Sequence, residues 1–121
     1  MADATKSEWT AGHPVGGIAS FNVADEIARI KRGTHWAAGD RAPETLAKNS
    51  ELSVTLLVLK QGAVLKEHRS RGTATVAILS GSIRLNGATL GAGTVAVIDH
   101  EVPHAVEAIE ESALVLTAVL K

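Results

Sequence analysis

Two histidines, His68 and His104, are the residues of this chain best placed to do chemistry, because each borders a short run of aliphatic side chains. An imidazole in such surroundings can ligate a metal, move a proton near neutral pH, or orient the polar end of a ligand. It can also be a buried neutral ring kept in place by hydrogen bonds, and for these two histidines both readings stand. His100, four residues before His104, is a candidate third metal ligand, although it falls in a turn. Ser70 is a poor ligand itself but could hold a metal-bound water. Other chemistries are excluded by type. With no cysteine there is no disulfide, thiolate nucleophile, Cys-ligated zinc or iron–sulfur site. No glycine-rich phosphate loop precedes a lysine, no His-Glu-x-x-His helix occurs, and no Gly-x-Ser-x-Gly elbow is present.

The spacing around the two histidines is informative. Gly62 to Gly81 reads GAVLKEHRSRGTATVAILSG, and Gly93 to Ala108 reads GTVAVIDHEVPHAVEA. The first run resembles the first motif of the cupin superfamily: a glycine, five residues, His-x-His, three residues, a glutamate, six residues and a glycine. Gly62, His68 and Gly81 fall on their positions, while Ser70 stands for the second histidine and Ala74 for the glutamate. The second run is similar to the second motif at Gly93, Pro103 and His104, with Asp99 and Glu101 in place of the turn's Pro and Gly and Ala108 in place of a closing Asn. The resemblance covers roughly residues 50–120 and is to small, single-domain RmlC-like cupins with degenerate metal motifs.

That resemblance implies an antiparallel double-stranded β-helix, a jelly-roll barrel, with a divalent metal (iron, manganese, nickel or zinc) where its ligands are complete. Here only His68 and His104 survive residue by residue. The expected function is binding of a small organic ligand in the barrel, with at most a weak metal held by the two histidines. The alternative is a metal-dependent dioxygenase, isomerase or lyase acting on a small molecule. No catalytic residue is assigned. The expected pocket comprises His68, Ser70, Ala74, Val76, His104 and Val106; Trp36 is first a core or interface residue, and as the lesser reading a lid over this pocket. Losing a histidine and a glutamate should leave it roomier and more apolar than a metal-loaded relative's.

The elements that must position these residues are short. Asn22 can cap a helix carrying Val23, Ile27 and Ile30 as one stripe, with Asp25 in capping-box spacing and Gly33 as its stop. From Glu44 onward the pattern is β: Leu52–Lys60, Thr73–Leu79, Ser82–Leu85, Thr94–Ile98, Ala105–Ala108 and Ala113–Leu120. Asn86-Gly87 signals a two-residue hairpin. By alternation Ala74, Val76 and Ile78 face inward, while Glu67, Arg69 and Arg71 face solvent. The run Leu52–Leu59 is apolar on both faces, so a homodimer is expected to cover the outer one.

One domain over residues 1–121 is expected, with a loose segment over 1–20 and the barrel over about 44–120. Apolar residues make up 45% and charged residues 21%, while aromatics are only 2%, so the core is aliphatic and base stacking has little to work with. A net charge of −1 offers no field for nucleic acid or anionic lipid. No run approaches the ~20 apolar residues of a membrane span, and the N-terminus lacks a signal-peptide pattern. A cytoplasmic protein without nucleic-acid or membrane partners is expected.

Overall fold

The structure, a computed structural model, describes residues 17–120. Most of the loose segment expected over 1–20 lies outside that range. The helix is where the stripe places it: α1, Val23–Lys31, begins with the Asn22 Oδ1 accepting the Asp25 backbone N–H at 3.0 Å. A single turn of helix follows, α2, Thr34–Ala38. No helix among the described residues is long and apolar enough to cross a membrane.

The strands are β1 Arg41–Lys48, β2 Leu52–Leu59, β3 Val64–His68, β4 Ala74–Ser80, β5 Ser82–Leu85, β6 Ala88–Gly91, β7 Val95–Ile98, β8 His104–Ala108 and β9 Ser112–Val119. They form two sheets of order β1-β2-β9-β4-β7 and β3-β8-β5-β6, antiparallel at every pairing. Three strands escape the pattern reading. β1 holds Pro43 and three charged residues yet pairs, because it is an edge strand bonded only to β2, where a missing N–H is tolerated. The barrel therefore starts at Arg41, slightly before the expected Glu44. β3 and β6 are too short or too mixed to show a period.

Between the sheets lies an aliphatic core of Leu57, Leu59, Val76, Ile78, Ile83 and Leu114 with their neighbours. A second cluster sits outside the larger sheet, where Ile30, Val23 and Ile27 of α1 pack with Trp36 against Leu46, Leu56 and Val58. This changes the reason for β2's two apolar faces. Its outer face is covered by the chain's own helix and needs no second subunit. The surplus apolar surface lies further along the same sheet, at Leu79, Val95 and Val97, which are 40%, 63% and 70% exposed.

Two turns fix the barrel's corners. Asn86 and Gly87 join β5 to β6 with φ of 49° and 86°, the left-handed pair a type I′ turn requires. Gly81, between β4 and β5, has φ +81°, and a Cβ there would lie 2.3 Å from the Glu111 carbonyl oxygen and the Ser112 hydroxyl.

Candidate functional site

His68 ends β3 and His104 begins β8, and the two are directly opposed across the ladder. Strict alternation does not put His68 there. Leu65 faces the barrel opposite Val106, so an unbroken register would turn Glu67 inward and His68 outward. A bulge between Leu65 and His68 places two strand residues against one of β8 and restores His68 to the inner face. On the partner strand, Asn86 holds both flanks of His104: its Nδ2 donates to the Pro103 carbonyl at 3.0 Å and its Oδ1 accepts from the Ala105 N–H at 2.9 Å. The hairpin residue thus serves as a positioning residue for the histidine.

The rings meet at Nε2···Nε2 2.9 Å, with centroids 4.0 Å apart and planes at 66°. Each Nδ1 faces a backbone carbonyl two residues back, Lys66 O at 3.2 Å for His68 and Val102 O at 3.0 Å for His104. His104 is 5% exposed, while His68 stands at the mouth in contact with solvent.

Behind them opens a cavity of about 190 Å³. Ser70, Ala74, Val76 and Val106 line it with the two histidines, on largely aliphatic walls. It exists because the row Ser53–Ala118–Ala74 across β2, β9 and β4 carries small side chains. Ala74 occupies the position of the motif's glutamate, so the missing carboxylate leaves space. Ser53 and Thr55 of β2 also line the cavity and were not singled out by sequence. Their signal was available: in the apolar strand LSVTLLVL, Ser53 and Thr55 are the only polar residues, and both fall on the face that carries Leu57 and Leu59. The hydroxyls of Ser53, Thr55 and Ser70 have no hydrogen-bond partner among the described residues.

Two expected site residues lie elsewhere. Trp36 is not a lid. It belongs to α2, which packs on the outer face of the larger sheet, where the ring lies 4.8 Å from the Lys60 ammonium and 5.4 Å from that of Lys31. His100 does not join the histidine pair. Its ring and backbone N–H both engage the Asp99 carboxylate, at 3.0 and 2.9 Å, in an exposed turn. The backbone hydrogen bond from His100, then its ring, hold the Asp99 carboxyl below the usual carboxylate range. In the same turn Glu101 adopts φ 61°, at the position where the motif has glycine.

Two imidazole nitrogens fall short of the three protein ligands that zinc and non-haem iron sites ordinarily use. No group of three or more His, Cys, Asp or Glu converges among the described residues. The residues present do not fit a resident metal.

No family model matches the sequence, and no curated protein matches it. Solved structures do match. A cupin superfamily protein from Desulfitobacterium hafniense superposes with a TM-score of 0.65, at 15% identity, over 67% of this chain and 78% of that one. An RmlC-like cupin from Shewanella frigidimarina gives a TM-score of 0.64 at 22% identity, over 69% of this chain and 79% of that one. The chain has the cupin fold. A conserved protein of unknown function from Streptococcus pyogenes, 30% identical over 67% of this chain and 75% of its own, superposes on this cupin barrel with a TM-score of 0.60. Within the cupin frame, both motif histidines meet at one end of the barrel interior, and the motif's other two ligand positions are wall residues.

Proposed function

We propose that this protein binds a small organic molecule inside its cupin barrel, at the end where His68 and His104 meet. The observation that supports this best is the cavity behind the pair. At about 190 Å³ it exceeds the roughly 150 Å³ apolar cavity that suffices to take up benzene. Its walls are mostly aliphatic, and its polar groups are few and converge, the arrangement typical of small-molecule sites. The test is a ¹H–¹⁵N spectrum of the full chain titrated with toluene, benzyl alcohol, benzamide and benzoate, beside a blocked variant, Val76→Phe. The amides of Val76, Val106 and Leu116 should move in the wild type and stay fixed in the variant. Amides that ignore the whole panel, or respond equally in both proteins, would overturn the reading.

The protein is further proposed to be a homodimer through the outer face of β4 and β7. β7 is an edge strand carrying exposed Val95 and Val97, and a bare apolar edge promotes association unless it is covered. A second copy presents the same face to a two-fold axis. Light scattering should give twice the chain mass, reduced to one by Val95→Lys with Val97→Glu. A monomeric wild type would refute it.

A further inference from the structure

The polar groups left unengaged in the cavity are hydroxyls, not imidazoles. Each of the four ring nitrogens of His68 and His104 already has a polar atom within 3.2 Å: the two Nε2 atoms face each other, and each Nδ1 faces a carbonyl oxygen. This holds whichever tautomers the rings adopt. The hydroxyls of Ser53, Thr55 and Ser70 line the same cavity and have no partner among the described residues. A half-buried hydroxyl against aliphatic walls gains by finding a partner, since desolvating it without one is unfavourable.

Ser53 and Thr55 form a unit. They share one face of β2, two residues apart, which at ~3.3 Å per residue is ~6.6 Å along the strand. Two O–H···O bonds of ~2.8 Å meeting at one atom span about 5.6 Å, so a single ligand oxygen between the two hydroxyls can bond both. The neighbouring strands leave room for it, because Ser53 stands in register with Ala118, and Ala118 with Ala74. Thr117 borders the cavity too, but it pairs with Val54, on the face turned to the outer cluster. Among the described residues no Asp, Glu, Lys or Arg lines the cavity. The groups that meet a ligand's polar end on β2 are therefore hydroxyls, each able both to donate and to accept. A hydroxyl or carbonyl oxygen matches two such partners without bringing a charge against aliphatic walls.

We propose that Ser53 and Thr55 are the specificity-determining residues of the barrel, and that they select an uncharged alcohol or carbonyl compound whose oxygen bridges the two hydroxyls. Its apolar body is the size of one ring, because the cavity is slightly larger than one that takes up benzene. Ala74, Val76 and Leu116 cover that body. This rests on the reading that the barrel binds a small molecule, and narrows it to one chemical class. It assigns recognition to β2, a strand that precedes both histidine motifs in the chain.

The test is calorimetry on EDTA-treated full-length protein with benzyl alcohol, benzamide, toluene and benzoate, for the wild type and for Ser53→Ala with Thr55→Val. Toluene has the same ring without the oxygen, so the ratio of benzyl alcohol affinity to toluene affinity isolates the bridge. That ratio should fall at least about tenfold in the double variant, the worth of two neutral hydrogen bonds, and the ratio for benzamide should fall with it. Exchanging the pair, Ser53→Thr with Thr55→Ser, keeps both hydroxyls and should keep the preference. Without ligand the Ala/Val variant should melt no lower than the wild type, because it loses only hydroxyls that bond no protein group. A ratio equal in wild type and double variant, as hydroxyls that only bind water would give, would overturn the proposal while leaving small-molecule binding intact. So would benzoate binding the wild type more tightly than benzyl alcohol, or a double variant that melts well below the wild type. If no compound binds by calorimetry and none moves the cavity amides, both readings fail together.

Discussion

Ala74→Leu separates an open binding cavity from an ordinary aliphatic core by the sign of its effect on stability. Ala74 points into the cavity, with Ala118 beside it on one neighbouring strand and Ile98 on the other. Leucine adds three carbons at a site that is already 9% exposed and walled by aliphatic groups. At ~0.8 kcal/mol per buried methylene this gives up to about 2.4 kcal/mol. Ordering the longer side chain costs about 0.5–1 kcal/mol. The net gain is about 1.5 kcal/mol, which for a chain of this size raises the melting temperature by about 5 °C. The same side chain removes the room in which a ligand sits, so stability should rise as binding is lost. Urea unfolding of both proteins, with benzyl alcohol and without, measures the two effects together. In a close-packed core the substitution would instead cost about 1–3 kcal/mol. A destabilised Ala74→Leu that still bound ligand would refute the account of an open cavity at this position.

Glu101→Gly should stabilise the protein by about 0.5–1 kcal/mol, because a side chain at φ 61° carries a left-handed penalty that glycine lacks; a lower unfolding midpoint would contradict this. Gly81→Ala should cost more than about 3 kcal/mol or prevent folding, since its Cβ meets backbone and a hydroxyl at a left-handed position; soluble, near-wild-type protein would be the contrary result. The carboxyl of Asp99 is depressed in the folded state, so its contribution is present above the unfolded carboxylate range and is lost as pH falls through the folded value. Asp99→Asn should therefore flatten part of the decline in unfolding midpoint below about pH 4, and leave the alkaline side unchanged.

Much of this fold was legible because its signals are local. The Asn22 cap, the stripe of Val23, Ile27 and Ile30, and the left-handed pair Asn86-Gly87 are each decided by a few adjacent residues, and each is found as expected. The cupin spacing identified the barrel and both histidines, because a motif records which residues end up at one place without saying how. Alternation along β4 named Ala74 and Val76 as wall residues, and both line the cavity.

What sequence left open depended on contacts between distant segments. The bulge that turns His68 inward is a register relation between β3 and β8, and neither strand alone contains it. Preceding the sheet, Trp36 suits either a core position or a lid, and only the packing of α1 and α2 decides that it joins the cluster on the outer side of the sheet. The apolar outer face of β2 carried no indication of whether helix or subunit would cover it. The meeting of the two histidines is likewise a tertiary property. Sequence supplies two rings 36 residues apart, and the register of β3 against β8 brings their Nε2 atoms to 2.9 Å. Side-chain type sets what a residue can donate or accept, and the fold alone decides what stands opposite it.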